Sequence, residues 1–545
     1  MTATGTAPTS LRPGTPDAAD DAPPAPRRPH VPWWRVPAAL GAGALAAAGF
    51  APLGWWPLTL VGVALLTVVV QTAPRRRFWL GYLFGVVFLG LSVGWVSVIA
   101  VPVAVALVAF ESAFYGLLAV LVHRLRSVPG WPAVAAAAWV VVEWVYSSVP
   151  FDGFGWSRLG YTMVDAPLAG LYPLVGVAGV SFLTALGGQA LAWLVLRLRR
   201  PSGRRGRGRW RPVAVVLAAA LVLGLAGQLL RGWVPAAPAG GRQVTVGLVQ
   251  GNVDGVGVAA LGRARTVTNN HLSETITLMA RARTGTIAMP DMVLWPENST
   301  DIDPLVDPTT RRTVELSVQI ADRPVQVGAV LQGPGPDERQ TSALWYDPEQ
   351  GVLDRMEKRD LVPFGEYIPF RDVLLPLVPM LQMVGAQSVA GTSDGLMTVP
   401  VAGEPVGVGT LICFEVAYDG TVAETVGSGA QLLVVQSNQA TYGGTVEVPQ
   451  QFAMTRVRAM ESRREIAVAT TSSASGFIGA DGSVVWQTAE FTADSHSWTM
   501  PLRTTTTPAM QLGPTIGVAS TVLLLGGIAV ALWRRRAARG EPAQR

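Results

Sequence analysis

The sequence predicts an α+β membrane protein, a bundle of eight apolar helices joined to one α/β layered domain outside the cytoplasmic membrane. Three observations predict it. Half of the 545 residues are hydrophobic and only 14% are charged, with mean hydropathy +0.35; a soluble domain carries about 25% charged residues. Many of the 41 arginines gather in short blocks between apolar stretches. One long segment, about 235–510, is polar enough to fold in water, and in it short apolar runs alternate with helical periodicity.

Residues 1–30 are rich in Pro, Ala, Thr and Asp, with too few apolar groups to fold, and are too long and polar to open a signal peptide. They are expected to form a disordered cytoplasmic tail. Apolar stretches of roughly spanning length then cover about 36–53, 56–72, 78–98, 100–122, 131–149, 169–196, 212–231 and 514–533. Arg27, Arg28 and Arg35 precede the first, Arg75 to Arg77 separate the second and third, and Arg124 and Arg126 follow the fourth. An arginine block at 197–211 separates the sixth and seventh, and another follows the eighth.

If all eight stretches cross, every cluster falls on one side. That is the positive-inside pattern, with both termini cytoplasmic and the long polar segment extracytoplasmic. It predicts a seven-helix transmembrane domain at 31–235, an extracytoplasmic domain at 236–510, and a last helix with a basic cytoplasmic tail at 511–545. Tryptophans near the ends, such as Trp33, Trp55, Trp79 and Trp131, suit the interfacial belt. The block at 197–211 either fixes this topology or binds anionic headgroups.

The net charge of +5 does not point to nucleic acid, because many of its arginines cluster in these topogenic blocks and are not spread over one surface. A single cysteine rules out an internal disulfide, and four scattered histidines (His30, His123, His271, His496) make neither a metal site nor a cofactor site expected. In the polar segment "QVTVGLVQ", "DMVLWPE", "VQVGAVL", "TSALWYDP", "VGVGTLICFE", "AQLLVVQSN" and "IAVATTSS" read as strands, and "AMTRVRAMESRR" as a helix.

Three strand ends carry chemistry. Glu297 follows a buried run and a Trp-Pro pair in "VLWPENST", a rigid and partly desolvated place where a carboxylate can become a base. A solvated loop glutamate is the plain alternative. Lys358 is the sole lysine among 42 basic residues, which points to a need that guanidinium cannot meet: a compact charge or proton transfer. Chance survival of one surface lysine is its alternative. Cys413 sits at the end of "VGVGTLIC" and is either a small buried hydrophobe or a nucleophile in need of a base and a cation. The polar segment offers only His271 and His496 as histidine partners, neither in a motif, and Glu297 with Lys358 would fill the gap.

"LWPEN", "KRDLVPFGEY" and "CFE", in this order, resemble the Glu, Lys and Cys signatures of the nitrilase (carbon–nitrogen hydrolase) superfamily. With "VQGN", "LVPFGEYIP", "SNQATYGG", "FGWSRLGY", "QFAMTRVRAMESRR" and the eight spans, the chain resembles that superfamily's membrane-embedded branch, the apolipoprotein N-acyltransferases. The resemblance implies an α-β-β-α sandwich, Glu297 as general base, Lys358 at the oxyanion and Cys413 as the nucleophile that carries an acyl thioester. It further implies supporting roles for Glu366, Glu415, Phe414, Asn438 and Tyr442.

Phe414 stands where the family commonly has tyrosine, the loop after "VQGN" lacks a tryptophan, and Tyr442 replaces an aromatic pair. The implied substrates are a phospholipid acyl donor and a diacylglyceryl apolipoprotein, met in the membrane by a monomer. A membrane-tethered amidase would share the triad and differ only in its acceptor, water. A non-enzymatic transporter or sensor would place polar groups within the spans. Glu111 and Glu143 are of that kind, unless they serve helix packing. The strongly apolar stretch 371–391, broken by Pro376 and Pro379, is either part of the core or an irregular mobile arm at the lipid interface.

Overall fold

The computed structural model describes residues 33–199, 211–234, 241–253, 265–513 and 515–540, besides Thr2, Thr4, Gly5 and Gly255. The expected tail at 1–30, those three residues aside, and most of the arginine block at 197–211 lie outside them. Each of the eight apolar stretches holds a helix. The first seven are α1 (Arg35–Ala47), α2 (Trp56–Thr72), α3 (Arg77–Ser92), α4 (Val101–Leu125), α5 (Trp131–Tyr146), α6 (Tyr172–Leu198) and α7 (Arg211–Gly232). The eighth is the C-terminal Thr515–Gly540.

Among the described residues, four helices are long and apolar enough to cross a membrane: α4, α6, α7 and the C-terminal one. The others have 13 to 17 residues. Three of the apolar stretches are longer than the helices they contain. The chain turns after Ala47 through Gly54 at φ +64°, tightens into a 3-10 turn at Gly94–Val98, and breaks after Tyr146 through Phe151, Asp152 and Gly153, all at positive φ. Hydrophobicity alone does not register such breaks. Glycines let the bundle close: a Cβ on Gly81 would lie 2.3 Å from the Tyr115 carbonyl oxygen of α4. Glu143 is buried and accepts from the Leu159 N–H at 2.8 Å, a packing role. Glu111 is also buried, and its Oε2 has no partner among the described residues.

The polar segment continues with β1 (Gln243–Gln250), α8 (Thr266–Arg283), β2 (Met292–Leu294), α9 (Pro308–Ala321), β3 (Val325–Gln332), β4 (Glu338–Asp347), β5 (Gly351–Glu357), α10 (Arg371–Leu377), β6 (Gln387–Ser388), β7 (Leu396–Val401) and β8 (Glu404–Ile412). There follow α11 (Asp419–Gly427), β9 (Leu432–Ser437), α12 (Glu447–Ser462), β10 (Ile466–Thr470), β11 (Gly476–Ile478), β12 (Val484–Gln487), β13 (Asp494–Pro501), α13 (Pro508–Leu512) and α14 (Thr515–Gly540). One sheet runs β13-β1-β2-β3-β4-β5 with β6 beside β4, and the other β12-β11-β10-β9-β8-β7. Each has three parallel strands at its heart, β1-β2-β3 and β10-β9-β8, widened by antiparallel neighbours.

The two sheets face each other across an apolar core that includes Val246, Leu294, Trp345, Val408, Ile412, Val434 and Phe477. Helices α8 and α9 cover the first sheet through Leu278, Val314 and Val318. On the other side Val422 of α11 and Val457 and Met460 of α12 share one apolar cluster with Trp139 and Tyr172 of the bundle. The layers are thus α-β-β-α, with the bundle built directly onto the last of them.

A buried ionic node locks that junction. Asp419 accepts from Arg158 and from Arg458, each at 2.8 Å, and Arg458 also donates to the Val416 carbonyl at 2.7 Å and pairs with Glu461. Glu461 in turn accepts at 3.0 Å from the Val177 N–H, beside the break in α6 at Gly176.

Candidate active site

Parallel strands present their carboxyl ends along one rim, where the loops that follow can converge. Glu297 lies three residues past β2, Cys413 directly follows β8, Asn438 directly follows β9, and Lys358 directly follows β5. The four meet at that rim.

Lys358 is 1% exposed and Glu297 4%, and an ammonium so placed persists only if paired. Its Nζ donates to Glu297 Oε1 at 3.2 Å and to Glu366 Oε1 at 2.8 Å. Burial alone would push the Lys358 ammonium down, but the two carboxylates hold it well above the ordinary range. Burial raises the Glu297 carboxyl, against the pull of Lys358. Its second oxygen accepts from the Asn438 backbone N–H at 2.7 Å. Glu366 spends its other oxygen on the Val362 N–H at 2.7 Å, which folds the loop after Lys358 back onto it.

Cys413 adopts φ +54°, the left-handed region that a branched or bulky side chain avoids and that marks a sharp strand-to-helix elbow. Burial pushes its thiol up, and the Glu297 carboxylate pushes the same way; Lys358 and a hydrogen bond with the Ser437 side chain oppose them. The group is thus a thiol at rest, and its proton has to be taken by a neighbour before it can attack.

Glu415 is fully buried and spent on structure. Its Oε2 accepts from the Ile412 N–H at 2.7 Å and its Oε1 from the Arg359 N–H at 2.7 Å, so one carboxylate clasps the cysteine elbow to the residue after Lys358. Phe414 points away from Cys413 into the junction with the bundle. Its ring stacks on Phe154 at 5.4 Å and on Trp156 at 5.7 Å. Tyr442 meets Trp95 edge-on at 5.0 Å.

Sequence reasoning passed over Ser437, Gln439, Glu447 and Gln451, which are all buried and hydrogen-bonded behind the cysteine. Their signal is faint: four polar residues at a strand end and on a helix face, in no fixed motif. His271 is not at the site. It is buried under Trp295 at 5.5 Å, with Nδ1–H donating to the Val267 carbonyl at 2.7 Å. The stretch 371–391 is not wholly irregular: α10 contains Pro376 and buries no residue, and a 3-10 turn follows at Pro379–Val384. Leu381 is buried there, so it does not belong to the exposed surface formed by Phe370, Val373 and Leu377. Phe370 rests on Phe151 of the α5–α6 loop at 5.7 Å.

Residues 42–190 match the family described as apolipoprotein N-acyltransferase N-terminal domain, and residues 279–507 match carbon-nitrogen hydrolase. An apolipoprotein N-acyltransferase of Mycolicibacterium smegmatis is 35% identical over 91% of this chain and 84% of its own. One of Azotobacter vinelandii is 30% identical over 92% of this chain and 96% of its own. Among solved structures, a nitrilase-superfamily amidase from Nesterenkonia aligns with 49% of this chain and 93% of its own, at 18% identity and a TM-score of 0.36. With two family matches in the order bundle then sandwich, and relatives matched along almost their whole length, the chain belongs to the apolipoprotein N-acyltransferase family.

Proposed function

We propose that this enzyme moves an acyl chain from a membrane phospholipid to the α-amino group of an apolipoprotein's N-terminal diacylglyceryl-cysteine, by way of a thioester on Cys413. The observation that carries the reading is the burial of Lys358 between Glu297 and Glu366 beside the cysteine elbow. Glu297, raised by burial, takes the thiol proton, and the thiolate attacks the ester carbonyl. Lys358 and backbone N–H groups near Cys413 hold the tetrahedral oxyanion. Glu297 returns the proton to the departing lysophospholipid. The acceptor amine then attacks the thioester, Glu297 takes its proton, and Cys413 leaves as thiolate and is reprotonated. Glu366 keeps Lys358 in place, Glu415 fixes the elbow, and Asn438 orients Glu297 through its backbone N–H.

Eight crossings, an outward-facing sandwich at 236–510, cytoplasmic termini and a monomeric working unit complete the proposal. The one-sided arginine clusters support the topology, and the four shorter helices need a thinned or tilted fit to the bilayer. Intact mass spectrometry after incubation with phospholipid tests the chemistry. The wild type gains one acyl mass on Cys413, and Cys413→Ser and Glu297→Gln gain none while still inserting in the membrane. An unmodified wild-type chain would overturn the covalent scheme.

A further inference from the structure

Cys413 and Ser437 lie next beyond the last ladder pair of β8 and β9, Ile412 with Gln436, so the parallel register sets the two side chains together. The Ser437 hydroxyl works against the upward push that burial gives the thiol. Behind it runs a chain of buried polar groups. Gln451 Nε2 donates to Ser437 Oγ at 3.0 Å, Gln439 Nε2 donates to Gln451 Oε1 at 3.0 Å, and the same Nε2 donates to the Glu447 carboxyl at 3.0 and 3.1 Å. None of the four is more than 3% exposed.

The direction of every bond follows from the far end. An ionised Glu447 carboxylate can only accept, so Gln439 must turn its amide NH2 toward it. The second hydrogen of that NH2 goes to Gln451, whose oxygen is thereby fixed toward Gln439 and whose NH2 is fixed toward Ser437. The Ser437 oxygen then already accepts, and its single O–H is left to point at sulfur. Burial pushes the Glu447 carboxyl up to about 8, with Gln439 working against that shift. Ionised, the carboxylate can only accept and fixes the order of the chain; protonated, it can also donate, so Glu447 dictates the direction only above about pH 8. The charges that bear on the thiol, Glu297, Lys358 and Glu447, lie on three separate elements.

We infer that Ser437 is a positioning residue that donates its hydroxyl hydrogen to the Cys413 thiolate, and that Glu447 dictates this direction through Gln439 and Gln451. The inference rests on Cys413 being the nucleophile, but its test does not need acyl transfer. Cys413 is the sole cysteine in the chain, so its alkylation by iodoacetamide at a fixed pH of about 9, where Glu447 is ionised, followed by intact mass, reads thiolate reactivity directly.

Ser437→Ala should slow alkylation roughly tenfold, the effect of about one pKa unit, and slow thioester formation to match, with KM for phospholipid unchanged. Ser437→Thr should restore most of it. Glu447→Gln offers Gln439 an amide that can donate, which lets the chain reverse, and should slow alkylation about threefold. Because both act through one chain, the double variant should be no slower than Ser437→Ala alone. A wild-type alkylation rate in Ser437→Ala, or losses that multiply in the double variant, would overturn the relay. If Ser437→Ala does not fold, Glu447→Gln carries the test alone, and an unchanged rate there overturns it. A wild type that alkylates as expected yet never gains an acyl mass would instead refute the thioester scheme and leave the relay standing.

Discussion

Lys358 is enclosed by two carboxylates at distances that suit a compact ammonium with freely placed donors. A guanidinium is planar and longer, and in a site with 1% exposure it has no room to reorient. Lys358→Arg should therefore cut the rate of thioester formation at least a hundredfold although the charge is kept; a near-normal rate in a single-turnover assay would show that only charge matters.

His271 makes a separate prediction. Burial holds its imidazole down to about 4, against roughly 6.5 in an unfolded chain. As pH falls below about 6.5, the unfolded chain takes up a proton that the folded one refuses. Stability is lost from there down to about 4 and levels off below it, by roughly 3 kcal/mol in all. Unfolding midpoints measured across that window should flatten in His271→Phe, and an unchanged slope would assign the acid sensitivity to another group.

Glu297 and Cys413 were legible as residues because each closes or follows a short apolar run in a recognisable motif, and Lys358 because it is the sole lysine of the chain. Glu415 was legible as a position, but not as a clasp between two loops 56 residues apart. That property belongs to the fold.

Among the elements, the buried strands announced themselves and the wet ones did not. β1, β3, β8, β9 and β10 are nearly continuous apolar runs, as parallel strands covered on both faces must be. β5 and β12 are edge strands whose residues are mostly exposed, and β13 alternates polar residues along its length, so neither periodicity nor hydrophobicity sets them apart from loop. Helix α10 raises a functional question. It buries nothing, it contains a proline, and it holds Phe370, Val373 and Leu377 into the surroundings at 71%, 62% and 72% exposure. Such a surface is costly in water and suited to the edge of a bilayer. Changing all three to serine should slow thioester formation from bilayer phospholipid at least tenfold, and leave reaction with a short water-soluble ester within about twofold. Equal losses with both donors, followed by single-turnover mass spectrometry, would show that α10 supports the site instead of serving the lipid.

At the scale of the whole molecule, the bundle and the sandwich share one apolar cluster and one ionic node. Arg458 is fully buried and binds Asp419, Glu461, Tyr161 and the Val416 carbonyl of the cysteine elbow. Its removal would leave Glu461 buried without its cation. Arg458→Met should therefore destabilise the protein by on the order of 3 kcal/mol, seen as a lower thermal midpoint in detergent, and should lower activity by letting the elbow move. Full stability in that variant would mean that the shared apolar cluster alone holds the two parts together.

The aromatic stack of Phe414 on Phe154 and Trp156 ties the cysteine elbow to a loop that leaves the bundle. With the bundle in the bilayer as proposed, this stack and the shared core would hold the Cys413 sulfur at a constant altitude above it. Under the proposed acyl transfer, the cargo would then have to come to the enzyme. A lipoprotein anchored by its own lipid can bring its terminal amine to that altitude only if the chain behind the lipidated cysteine is slack enough, at no more than about 3.5 Å of reach per residue. Shortening that tether stepwise in a reporter lipoprotein should leave N-acylation unaffected down to a threshold and abolish it below, whereas a smooth decline would indicate that the sulfur moves to meet its substrate.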